Sequence, residues 1–251
     1  LSLQRGRQNI FSQPNQKFLN NNEWIIDLRK GDTTAAALLK KTGIDPTRAA
    51  FITDKPEPGI ITVSEEPGAI WSRLLEAISK DHPEGTRLAL IPGSSHQADT
   101  ATDTVAFSNA LAKTNHELVS VIRYENHWRD LSKAISTTVT KHPELSTLVS
   151  LDPHAMSTLH WRLKKIWPKA EIYTSFCDSG TLQLLHNGTV KAVVVDQTEK
   201  LGEMALQQLI ENDGQPAQLL VPLEPALRQE NALERVRLRR KVELLGKISA
   251  R

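Results

Sequence analysis

The sequence holds one cysteine, Cys177, among 251 residues, which excludes an internal disulfide. Its redox compartment stays open, because an absence of bridges suits the cytoplasm and many periplasmic proteins alike. No apolar run approaches the roughly 20 residues a membrane-spanning helix needs. Excess charge of one sign is also lacking: 31 Lys and Arg stand against 29 Asp and Glu, a net charge of +2. Such balance gives no general reason to expect nucleic acid as a partner. Enzyme signatures are missing too. The eight histidines include no H-x-x-x-H pair, Cys177 has no metal-ligating partner at useful spacing, and there is no G-x-S-x-G elbow, P-loop or G-x-G-x-x-G. The expectation is a chain that performs no chemistry and takes no cofactor and no metal.

What is present is a regular alternation of short β-branched runs with amphipathic stretches. Strands are expected at 24–28, 49–53, 59–63, 87–91, 117–122, 146–151 and 172–176, with helices at 33–41, 67–80, 101–113, 127–141 and 154–166 between them. Gly43 closes the first helix, and Ile70, Leu74 and Ile78 share one face of the second. The run Val193-Val194-Val195 stops at Asp196-Gln197, and a further helix and strand follow. Alternation of this kind predicts α/β architecture with parallel sheets covered on both faces, and 251 residues suffice for two lobes of about 100 to 150 each. In open α/β sheets ligands bind where strands end at their carboxyl edge. Asp54 and Lys55 end one strand, and a carboxylate beside a cationic donor can grip hydroxyl groups; a solvated pair reads equally well. Asp152 and Asp178 follow two others, as ligand contacts or as helix caps worth about 1 kcal/mol. The segment 1–22, rich in Gln and Asn, reads as a weakly structured arm, and 232–251 as a basic amphipathic helix.

Several short motifs in fixed order resemble the type I periplasmic binding proteins, the superfamily of ribose-binding proteins and LacI effector domains. They are Ser175-Phe176-Cys177-Asp178, Asn187-Gly188-Thr189-Val190, Asp196-Gln197, Leu201-Gly202, Val221-Pro222-Leu223 and Gln229-Glu230-Asn231, joined upstream by Ile52-Thr53-Asp54-Lys55 and Ala89-Leu90-Ile91-Pro92-Gly93. The resemblance implies two Rossmann-like lobes joined by a hinge: an N-terminal lobe over 23–95, a C-terminal lobe over 96–196, and a hinge return with closing elements over 197–231. Only 22 residues precede Trp24, so the N-terminal lobe is expected to be incomplete and the sequence beginning at Leu1 to be a trimmed or processed form.

By the same resemblance the chain binds a small polar ligand, a sugar or a related solute, for uptake through a membrane permease or for sensing. The implied ligand residues are Asp54, Lys55, Ser94, Trp128 as a stacking ring with Tyr124 as a second candidate, Asp152, Asp178 and Gln197. Gln197 can donate and accept at once, which suits a hinge position. Two departures stand out: Cys177 separates Phe176 from Asp178, and no Arg or Lys occurs between Arg87 and Lys113, where sugar-binding relatives place an arginine. A sensor of the TorT type, partnering a membrane sensor kinase, accommodates both, and a homodimer is a possible state of such a sensor. The implied location is periplasmic, or cytoplasmic for a fragment of a LacI-type regulator.

Overall fold

The structure is a computed structural model that describes residues 23–29, 33–66, 68–92, 100–125, 128–152, 155, 162–175, 179–195, 197–211 and 215–230. The expectations for the arm 1–22 and the basic helix 232–251 fall outside these residues, as do Ser94 and Asp178. No helix among the described residues is long and apolar enough to cross a membrane.

The chain divides into two units, Leu1–Pro67 with Gln197–Leu223, and Gly68–Asp196 with Glu224–Arg251. The first crossing therefore falls at residue 67, not near 95 as read from sequence. The reason is strand pairing: Arg87–Ile91 has both its sheet neighbours in the second unit, and no local pattern announces which sheet a strand will join.

The first unit is built on β1 (Trp24–Asp27), β2 (Ala49–Ile52), β3 (Ile61–Glu65) and β9 (Gln218–Val221), in the order β1-β2-β3-β9 and parallel throughout. Side chains alternate across β2. Ala49 and Phe51 pack with Leu28, Ile60 and the α1 residues (α1, Ala35–Thr42) Ala35, Leu38 and Leu39. Ala50 and Ile52 pack with Ile61, Val63, Val221 and the face Leu201, Ala205, Leu209 of the helix Thr198–Glu211. With helices on both faces, β2 is buried at every position, which is why its sequence reads as a continuous apolar run rather than an alternating one. Gly43 caps α1 with φ of 68° and donates to Leu39, a left-handed geometry glycine adopts without penalty.

The second unit carries β4 (Arg87–Ile91), β5 (Glu117–Val121), β6 (Thr147–Ser150), β7 (Glu171–Thr174) and β8 (Val190–Val193), ordered β5-β4-β6-β7-β8, again all parallel. Among the described residues its helices are α2 (Ala69–Asp81), α3 (Thr100–Leu111), α4 (Trp128–Lys141), α5 (Leu163–Ile166) and α6 (Ser179–His186); Thr198–Glu211, in the first unit, is α7. Leu74 and Ile78 of α2 are fully buried as expected, and Trp71 meets Phe107 edge to face at 6.2 Å.

Polar groups tie α2 to the amino edge of this sheet. The Thr86 N–H donates to Nδ1 of the buried His116 at 3.1 Å, so the proton sits on Nε2, 2.8 Å from Ser79 Oγ. Burial, and then the neighbouring His82, lower the His116 pKa. The folded state thus binds fewer protons than the unfolded one, so the stability this neutral imidazole contributes is present at neutral pH and is lost as pH falls below about 6.5 through the folded value. Thermal midpoints should drop from about pH 7.5 to about pH 5.5 in the wild type, and drop less in His116→Gln; equal slopes would contradict this reading.

Candidate functional site

Parallel pairing brings the ends of β1, β2 and β3 to one edge of the first sheet. Asp54 and Lys55 lie there exposed, held by a turn in which Thr53 Oγ1 accepts the Lys55 N–H at 3.1 Å. Beside β2, the exit of β1 carries Arg29, whose guanidinium donates to both carboxylate oxygens of Asp27, at 3.1 and 2.7 Å, and to Thr198 Oγ1 at 3.0 Å. Arg29 therefore ties the first strand to the first residue of α7.

Gln197 precedes that residue. Its N–H donates to Glu65 Oε1 at 3.1 Å, and its carbonyl accepts the Leu201 N–H at 2.9 Å, opening α7. Its side chain is the unusual feature. The residue is 8% exposed, and among the described residues neither Oε1 nor Nε2 has a hydrogen-bond partner. A buried amide left unsatisfied costs about 1–3 kcal/mol, and such groups are rare enough to demand an account. Both a donor and an acceptor are missing here, and a hydroxyl group supplies both at once.

At the carboxyl edge of the second sheet, Asp152 follows β6 and is fully buried. The Tyr124 hydroxyl donates to its Oδ2, and Ser150 Oγ lies 3.4 Å from its N–H. Burial first, and then the Asp152 hydrogen bond and charge, push the Tyr124 phenol well above its ordinary pKa, which keeps it the donor. Asp152 thus faces inward as the partner of Tyr124 rather than outward. Trp128 opens α4, with its side chain outside the described residues. Among those residues no group of three or more His, Cys, Asp or Glu is arranged to hold a metal.

The structure thus gathers Asp54, Lys55 and Gln197 at the edge of the first sheet and places Asp152 at that of the second. Arg29 and Glu65 escaped the sequence reading. The third strand was expected to end at Val63, which left Glu65 outside any element, whereas β3 runs to Glu65. Arg29 had a visible signal in its position just past a strand end, but its contact with Thr198 spans 169 residues.

No protein-family model and no curated protein sequence matches the chain. Solved structures do. The periplasmic binding protein component of an arabinose ABC transporter from Shewanella sp. ANA-3, bound to L-arabinofuranose, superposes with a TM-score of 0.65 at 13% identity, over 93% of this chain and 82% of that one. A solute-binding protein from Burkholderia graminis in complex with D-arabinose gives 0.61 at 15% identity, over 87% and 80%. A glucose-galactose binding protein from Geobacillus stearothermophilus gives 0.58 at 16% identity, over 84% and 77%. Two parallel sheets in this order of elements, matched over most of the length of such structures, give the chain the type I periplasmic-binding-protein fold.

Proposed function

We propose that this chain binds a small hydroxyl-bearing solute, a sugar or a related polyol, without transforming it, and hands it to a membrane permease from the periplasmic side. The observation that carries the reading is the Gln197 amide, buried and lacking both a donor and an acceptor among the described residues. A solute hydroxyl answers both needs. Asp54 and Lys55 are the proposed outer contacts at the same sheet edge, with Ser94, Trp128 and Asp178 as further contacts proposed from the sequence. Two of the similar structures are ABC-transporter binding proteins holding an arabinose, and a pentose is the first solute to try.

Thermal unfolding against a panel of pentoses, hexoses, polyols, amino acids and methylamines tests this. A ligand that binds only the folded state, at 100 times its Kd, adds about 2.7 kcal/mol. The expected result is a midpoint rise with at least one sugar or polyol. A flat response to every sugar and polyol, with folding intact, would sink the reading.

A further inference from the structure

The loop between β2 and β3, residues 53–60, carries Asp54 and Lys55 and continues as Pro56-Glu57-Pro58-Gly59. Loops of this length are ordinarily the mobile part of an α/β unit, yet this one is pinned twice. At its base Thr53 Oγ1 holds Lys55 through the backbone N–H. Two residues further on, the Glu57 carboxylate reaches the N-terminus of α1: Oε1 accepts the Ala35 N–H at 2.6 Å and Oε2 accepts the Ala36 N–H at 3.0 Å. Thr34 Oγ1 takes the Ala37 N–H at 3.2 Å. The first three N–H groups of α1, which no intrahelical carbonyl can satisfy, are therefore all occupied, two of them by a residue from another element.

This differs from an ordinary cap. A cap such as Thr34 is local to its own helix, whereas Glu57 lies 21 and 22 residues from the groups it binds and is flanked by two prolines whose φ angles are fixed. An anion at a helix N-terminus is held by both the free N–H groups and the helix dipole. The consequence of the contact falls on the loop. With Thr53 fixing one end and Glu57 the other, the backbone bearing Asp54 and Lys55 has little freedom left to lose when a ligand arrives, and ordering that is complete before binding is not charged against affinity.

We propose that Glu57 is a positioning residue for ligand binding, tethering the Asp54–Lys55 loop to α1 so that both side chains are presented in one geometry. The inference rests on the solute-binding reading above. It assigns Glu57 no contact with the ligand; its role is exercised through the loop.

The test compares Glu57→Ala and Glu57→Gln with Thr34→Ala, which also removes a cap from α1 but leaves the tether intact. Amide hydrogen exchange is read first and needs no ligand. In both Glu57 variants exchange should quicken at least tenfold at Asp54, Lys55 and Glu57, while Phe51 and Ile61 in the sheet stay protected; Thr34→Ala should leave the loop amides as in the wild type. Calorimetric titration with L-arabinose, D-ribose and D-galactose is read second. For whichever sugar the wild type binds, Kd should rise at least tenfold in Glu57→Ala, less in Glu57→Gln, and remain unchanged in Thr34→Ala. Unchanged loop exchange in the Glu57 variants would overturn the tether. Faster exchange with unaltered Kd, or an equal loss of affinity in Thr34→Ala, would overturn its role in binding and leave Glu57 a helix cap. A wild type that responds to no sugar or polyol of the thermal panel, these three included, would overturn the solute reading and this use of the loop with it. The wild-type titration separates that outcome from a failure of Glu57 alone.

Discussion

Replacing Gln197 by methionine should make the ligand-free protein more stable and remove most of its response to its solute. The two effects have one cause. The side-chain amide is buried with no partner for either of its polar atoms among the described residues, so the ligand-free fold carries the desolvation cost of a donor and an acceptor. Methionine has similar length and volume and no such cost. Removing an unsatisfied buried amide is expected to gain about 1–2 kcal/mol, or about 2–8 °C in midpoint for a chain of this size. The rise produced by the best solute of the panel should fall away by most of its wild-type value, because the hydroxyl that met Gln197 would itself be left unpaired. Activity purchased with local instability is a common pattern at binding sites. A lower midpoint in Gln197→Met without ligand would show that the amide is satisfied in the folded protein, and the case for a hydroxyl partner would collapse.

Arg228→Met should destabilise the second unit by about 2–3 kcal/mol, in the range for hydrogen bonds to charged groups whose partner stays partly buried. Arg228 lies in the segment that returns to this unit after β9. Its Nη1 lies 2.8 and 3.0 Å from the two carboxylate oxygens of Asp81, and its Nη2 donates to the Ala77 carbonyl at 2.8 Å. The pair is partly shielded from water, with side-chain exposures of 18% and 27%, and the third bond to the Ala77 carbonyl sets it apart from a simple surface ion pair. Asp81 also accepts the Tyr173 hydroxyl at 2.7 Å. Next to Arg228, Leu227 exchanges both backbone hydrogen bonds with Val193. Loss of the guanidinium leaves Asp81 with the phenol among these partners and frees the end of α2 from the return segment. Tyr173→Phe, which removes one neutral donor, should cost less, about 1 kcal/mol. Denaturant unfolding of both variants decides the matter, and a change below about 0.5 kcal/mol for Arg228→Met would place it among ordinary surface substitutions.

The parts of the fold that the sequence discloses are those set by local rules. β4 was expected at 87–91 and lies at Arg87–Ile91, because a fully buried strand is an apolar run bounded by polar residues. The expected end of α1 at Gly43 holds because only a residue at ease with positive φ closes a helix that way. What escaped was set by distant partners. The crossing at residue 67 depends on β4 joining β5 and β6. Asp152 reads from sequence as a ligand contact or a helix cap, and its hydrogen bond from Tyr124, 28 residues earlier, has no local signal. At Gln197 the sequence shows an amide past a β-branched run, and only the three-dimensional arrangement shows that the amide is buried with no hydrogen-bond partner among the described residues. Glu57 between two prolines resembles any polar turn until α1 is placed against it.

The most direct measurement of the central claim is the side-chain amide signal of Gln197, assigned by comparison with Gln197→Met and followed by nuclear magnetic resonance during titration with L-arabinose, D-ribose and D-galactose in turn. The account predicts that at least one sugar shifts this signal saturably and slows the exchange of its protons with water, as expected when Nε2 gains an acceptor. A signal that stays put while a sugar demonstrably binds, or that stays put with all three because none binds, would contradict it.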